Sequence, residues 1–225
     1  MTGFGKKLRR RFGLAATGAL AVFLASCHVA CSVFGVRTAQ EHPSTDLVTD
    51  GRFALRRYEP AIVASTTVRA DASNPGNVMF SRLGGYIGGE NAAGQDIEMT
   101  APVVQERTGQ RIEMTVPVVQ SPSSEGWVYS FVMPAEYEMK WLPQPTNPKV
   151  ALERWPARLV AVYRFSGIAD EGDLDAHSPA LTDWLRKQGY HPVGSPRLAY
   201  YDPPWTLPFL RRNEVQIEVE PSPAE

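Results

Sequence analysis

An α+β domain assembled from two halves of like plan is the fold the sequence predicts, and three observations predict it. Two stretches carry helix start and stop signals around apolar residues at three- and four-residue spacing. Short segments of alternating apolar residues flank them, giving the order strand, helix, strands, then strands, helix, strands. Between the two helices lies a doubled phrase, Ile97-Glu-Met-Thr-Ala-Pro-Val-Val-Gln105 and Ile112-Glu-Met-Thr-Val-Pro-Val-Val-Gln120. The copies are identical at eight of nine positions and fifteen residues apart.

The chain opens on a targeting pattern. Lys6, Lys7, Arg9, Arg10 and Arg11 precede an uncharged apolar run over residues 12–25. That run ends in Leu24-Ala25-Ser26-Cys27, which resembles a bacterial lipobox, so residues 1–26 are expected to be a lipoprotein signal peptide and Cys27 the lipidated residue. An uncleaved anchor reaching Val36, long enough for a bilayer of about 30 Å, and simple secretion stay open as alternatives. All three place the remainder outside the cytoplasm, facing the periplasm or exterior, because the basic residues stay inside. Removing residues 1–26 takes five basic and no acidic residues from 23 basic and 24 acidic, leaving a net charge of −6. That charge argues against nucleic acid as the main partner. An acylated Cys27 leaves Cys31 with no disulfide partner in the chain, so the fold rests on its core.

Residues 27–50 show no sustained period and read as a flexible tether. Globular sequence is expected over residues 51–220, followed by a short tail, 221–225. Residues 53–60 and 61–68 read as an extended strand interrupted at Pro60. Asn74 as cap and Pro75 in the first turn start a helix that Gly88 and Gly89 stop. Within it Met79, Leu83, Tyr86 and Ile87 recur on one side, while Gly84 and Gly85 weaken it by roughly 1 kcal/mol each.

The doubled phrase reads as a hairpin turning at Thr108-Gly109. Val103 would pair with Met114 and Met99 with Val118, with Ile97, Met99, Ala101 and Val103 on one buried face. Pro102 and Pro117 favour a sheet edge. Residues 127–133, 150–153 and 158–165 follow as strands, with a proline-rich loop at 143–148. Ser178 as cap and Pro179 at the first position predict a second helix carrying Leu181, Trp184, Leu185 and Gln188, stopped at Gly189. Residues 197–201 and 215–219 finish as strands.

Several of these segments together resemble the SOUL family of haem-binding proteins. The repeated Met-Thr-Ala-Pro-Val carries the likeness first. Arg57-Tyr58-Glu59-Pro60 resembles the family's opening strand, and Val160-Ala-Val-Tyr-Arg-Phe-Ser-Gly167 its central one. The run from Tyr201-Asp-Pro-Pro-Trp205 through Val215 is similar to its closing signature. The resemblance implies a distorted, twisted β-barrel with two helices outside it. It also implies haem or a related tetrapyrrole bound in a shallow groove at the first helix, without a defining catalytic reaction or axial ligand.

A haem site needs apolar surface, cations for the propionates and optionally an axial ligand. On the first helix Met79, Leu83, Tyr86 and Ile87 offer apolar surface and Arg82 a cation; the same stripe also suits a face packed on the sheet. His177 and His191, beside a helix start and a helix stop, are expected in exposed loops. Met99 and Met114 read as core. Arg211 and Arg212 point opposite ways along a strand, and pairing with a nearby carboxylate is the preferred reading. Asp170, Glu171, Asp173 and Asp175 read as a solvated acidic turn without the ligand ladder of an EF-hand. No HExxH, CxxC, Gly-x-Ser-x-Gly or P-loop occurs. The sequence thus predicts a lipid-anchored, non-catalytic tetrapyrrole binder, with an envelope interaction module that kept the fold as the alternative.

Overall fold

The computed structural model describes residues 37, 39–107 and 126–222. Among the described residues ten strands and two helices follow in order: β1 (Ser44–Asp50), β2 (Phe53–Tyr58), β3 (Ala61–Arg69), α1 (Pro75–Ile87), β4 (Val103–Arg107), β5 (Gly126–Val132), β6 (Ala151–Trp155), β7 (Arg158–Phe165), α2 (Gly172–Lys187), β8 (Tyr190–Pro192), β9 (Arg197–Tyr200) and β10 (Asn213–Pro221). The sheet runs β1-β2-β7-β10-β9-β4-β5-β3-β6, with β8 pairing beside β10, and every strand pair is antiparallel. It is a curled half-barrel, open between β1 and β6.

The predicted duplication is visible in this topology. In one half β3 leads through α1 to β4 and β5, which lie in the order β3-β5-β4; in the other β7 leads through α2 to β9 and β10, in the order β7-β10-β9. The halves meet at the β4–β9 pair. Pro60 breaks β2 from β3 because the two strands belong to different halves.

Period-two alternation sorts each strand onto two faces. Val215, Ile217 and Val219 join Leu55, Ala161, Leu198, Trp127, Tyr129 and Phe131 in the main core, which Leu83 and Tyr86 of α1 and Leu174, Leu181, Trp184 and Leu185 of α2 cover. Arg56, Tyr58, Glu214, Gln216 and Arg197 are buried on the opposite face.

Three expectations are corrected. Residues 40–50 are not tether: β1 pairs with β2, and His42 is 6% exposed with its N–H donating to the Ala101 carbonyl. The second helix starts at Gly172, not Ser178, and Pro179 lies inside it. Asp170 Oδ1 accepts from the Gly172 N–H while Asp173 accepts from the Asp170 N–H, a reciprocal cap that absorbs the acidic turn.

The third concerns the doubled phrase. Its second copy lies outside the described residues, and of the first only Val103–Gln105 is strand. Both edges of β4 are occupied, by β5 and β9: Val103 pairs with Phe131 and Tyr200, while its expected partner Met114 lies outside the described residues. Upstream, the backbone bonds leave the ladder: Ile97 N–H donates to the Ile87 carbonyl and Ala101 N–H to that of Gln40. Freed from strand alternation, Ile97 and Ala101 are buried but Met99 is 41% exposed. Met99→Asp is therefore expected to shift stability by no more than about 0.5 kcal/mol. Thermal unfolding of the variant checks this, and a loss of several kcal/mol would contradict the placement.

Candidate functional site

Helix α1 forms as its caps dictate. Asn74 accepts a hydrogen bond from the Asn77 N–H, Pro75 occupies the first turn, and Gly88 closes the helix ahead of Gly89, whose φ of 95° needs glycine. It packs on β3 and β5. Its inner side is the predicted apolar stripe. Leu83 and Tyr86 are 0% and 1% exposed, and the Tyr86 hydroxyl donates to the Pro143 carbonyl at 2.9 Å. Burial pushes that phenol up to about 12. Met79 and Ile87 are half-buried against the core. Arg82 is half-buried too, its Nη1 donating to Thr66 Oγ1 at 3.2 Å and to the Thr67 carbonyl at 2.9 Å.

The predicted residues therefore share one helix but not one surface. Leu83 and Tyr86 fasten α1 to the sheet, and Met79, Arg82 and Ile87 reach partway to solvent. The residue that sequence reasoning passed over is Phe80, which is 60% exposed. Its ring lies over Gly84, 3.4 Å from where a side chain there would begin. The signal was available: Phe80 is an apolar residue off the apolar stripe, one turn before a glycine.

The histidines lie elsewhere. His177 is on α2, not in a loop, its ring 4.7 Å from that of Tyr163 and 4.8 Å from that of Phe165, with Nε2 3.5 Å from Asp173. His191 is half-buried in β8, opposite Glu220. Both belong to the half that carries α2. Among the described residues no three His, Cys, Asp or Glu side chains group as metal ligands.

On the sheet face away from the helices, Glu214 is fully buried and closely coordinated. It accepts from the Tyr201 hydroxyl at 2.7 Å, Gln216 Nε2 at 2.9 Å and Arg56 Nη1 at 3.3 Å. Burial, then the Glu214 charge, holds the Tyr201 phenol well above its usual range. Burial opposes the Arg56 charge, but Glu214, Tyr58 and the hydrogen bond to Asp46 outweigh it and raise its pKa. Arg212 pairs with Glu41 at 2.5 Å and stacks on Tyr201, as the carboxylate-pairing reading expected. Arg211 instead caps the carbonyls of Thr206 and Pro204.

A profile of the SOUL heme-binding protein family matches residues 40–218. "Heme-binding protein 2" of Mus musculus is 28% identical over 172 residues, covering 74% of this chain and 78% of that protein. Among solved structures, the EcmrR C-terminal domain matches with a TM-score of 0.54 and 16% identity, over 75% of this chain and 97% of that one. EcmrR in its complex with DNA matches at 0.53 and 13% identity, over 92% and 67%. At such identities the structural likeness shows the fold alone.

Proposed function

This chain belongs to the SOUL heme-binding protein family, and from that premise we propose that it binds haem or a related tetrapyrrole outside the cytoplasm while tethered to a membrane. It would buffer the ligand or hand it on, without catalysis. The observation that carries the proposal is the Phe80 ring of α1, which is exposed and set over Gly84, with Met79 and Arg82 of the same helix half-buried. A flat macrocycle can stack on such a ring. Arg82 uses Nη1 inward, and its remaining donors suit a propionate. Leu83, Tyr86 and Ile87 then act from behind, fixing the platform. Two cavities among the described residues, of about 220 and 140 Å³, are each smaller than the roughly 300 Å³ at which ligand pockets begin.

Haem titration of the full-length chain in neutral detergent, followed at the Soret band, tests this reading. A charge-assisted hydrogen bond is worth about 1.5–3 kcal/mol, so Arg82→Ala should weaken binding roughly ten- to a hundred-fold. Phe80→Ala should weaken it without moving the melting temperature. His177→Ala and His191→Ala should leave the Soret position unchanged; loss of the shifted band in either, with the fold intact, would replace the α1 site by a histidine-ligated one.

Cys27 supports the tethered location, since only Leu24-Ala25-Ser26-Cys27 supplies the lipobox context. No helix among the described residues is long and apolar enough to cross a membrane. Cys27→Ser should leave the chain unprocessed or mislocalised, and mass spectrometry finding an unacylated mature N-terminus elsewhere would remove the anchor from the proposal. A second reading, an envelope interaction module, is favoured by one observation. Ile168, in a loop, and Phe209, in the short 3-10 helix Pro208–Leu210, are 72% and 70% exposed, joined where the Gly167 N–H donates to the Pro208 carbonyl.

A further inference from the structure

The β6–β7 turn and the β8–β9 connection meet strands β4 and β10 beside Trp155, around a cavity of about 220 Å³ lined by Glu106, Trp155, Arg158, Ser195, Arg197 and Glu218, among others. Two guanidinium groups meet there on one indole: Arg158 lies 3.9 Å from the Trp155 ring centroid and Arg197 5.6 Å. Neither has its donors satisfied. Arg197 is 5% exposed, yet its Nε and Nη2 are buried with no hydrogen-bond partner, as is Nε of Arg158. The nearest carboxylate, Glu218, stands 3.6 Å from Arg197 Nη2, beyond hydrogen-bond reach, and its side chain is 37% exposed. Arg158 forms no ion pair among the described residues.

Buried donors normally find partners, and buried cations normally find anions. Here burial and the like charge of Arg197 push Arg158 down to about 9. Burial raises the Glu106 carboxyl above its usual range, against the pull of Arg197 and Arg158. Planar guanidinium groups with orphaned donors match the oxygens of a carboxylate or phosphate, and an aromatic wall beside them suits a small flat body.

We propose that this cavity is a binding site for the oxyanion of a small ligand, a carboxylate or a phosphate, held by Arg158 and Arg197 beside Trp155. The site is separate from α1 and too small for a tetrapyrrole. Glu218 competes with the ligand for Arg197.

The test is titration of the full-length chain in neutral detergent with sodium phosphate and, separately, sodium benzoate. Ionic strength is held with sodium chloride, and tryptophan fluorescence and calorimetric heat are read together. Saturable binding is expected; a response to phosphate alone assigns a phosphate site, and one to benzoate alone a carboxylate site. Arg158→Gln, at a half-buried position that leaves the core untouched, should raise the Kd roughly tenfold or more. Glu218→Gln should lower it, and neither variant should alter haem titration. No saturable response beyond that of chloride overturns the proposal, as does binding that both variants leave unchanged.

Discussion

Glu214→Ala is expected to destabilise the domain by about 3–5 kcal/mol, the usual cost of removing one partner from a buried ion pair. The carboxylate is 0% exposed, and its loss strands donors on β2, on β10 and just past β9 at once. Arg56 would keep only Asp46, at 2.6 Å, and Tyr58. The Tyr201 hydroxyl would keep only Tyr58, at 3.3 Å, and Gln216. Because Arg212 reaches both Glu41 and this cluster, the effect should spread to the N-terminal segment. Glu214→Gln, which retains an acceptor, should cost less. Since whole domains are stable by about 5–15 kcal/mol, chemical denaturation will resolve the difference. A Glu214→Ala variant within about 0.5 kcal/mol of the parent would show that the network contributes no net stability.

Acid should weaken the fold through His42. Burial lowers its pKa from 6.5 to about 4, the charges of Arg158 and Arg197 add to that, and the bond from Nε2–H to the Glu59 carbonyl at 2.8 Å works the other way. The folded value lies below the unfolded one, so between pH 6.5 and 4 the unfolded chain binds more protons and stability rises with pH. The contribution is complete above pH 6.5 and is lost as pH falls towards 4, up to roughly 3 kcal/mol. Glu106, with its carboxyl raised by burial, acts in the opposite sense, so the diagnostic is the difference between parent and variant. His42→Gln should flatten the decline between pH 6.5 and 4. Parallel stability curves for the two proteins would place the acid sensitivity elsewhere.

What was legible in the sequence depended on where each signal's physics is decided. Asn74-Pro75 and Gly88-Gly89 act locally, so α1 was readable to its ends. β7 was readable because Ala161 alternates with Val160 and Val162 in a strand paired on both sides. β1 was not, because Ser44–Asp50 is a polar, exposed edge with no apolar period. The doubled phrase misled because alternation describes extended chain, whereas pairing is decided by partners elsewhere: Gln40 and Ile87 took the bonds a hairpin would have used. Pro179 misled because Ser-Pro is a start signal that the Asp170–Asp173 cap overrode from upstream.

The site divides the same way. The spacing of Met79, Leu83, Tyr86 and Ile87 identified a face, but one stripe cannot say which of its members remain reachable once the helix is docked. Phe80 stood off that stripe in the sequence, and its 60% exposure in the docked helix shows what the position meant. Trp155 and Arg158 flank the single β6–β7 turn, but Arg197 opens β9 far along the chain, so the three carried no shared sequence signal.

Backbone-amide NMR of the full-length chain in neutral detergent, recorded with and without ferric haem, tests the central claim most directly. The paramagnetic iron broadens amides near it, whatever group ligates it. Binding on the outer side of α1 predicts broadening centred on Pro75–Ile87, strongest around Phe80 and Arg82. Broadening centred on His177 or His191, or none at saturating haem, would contradict it.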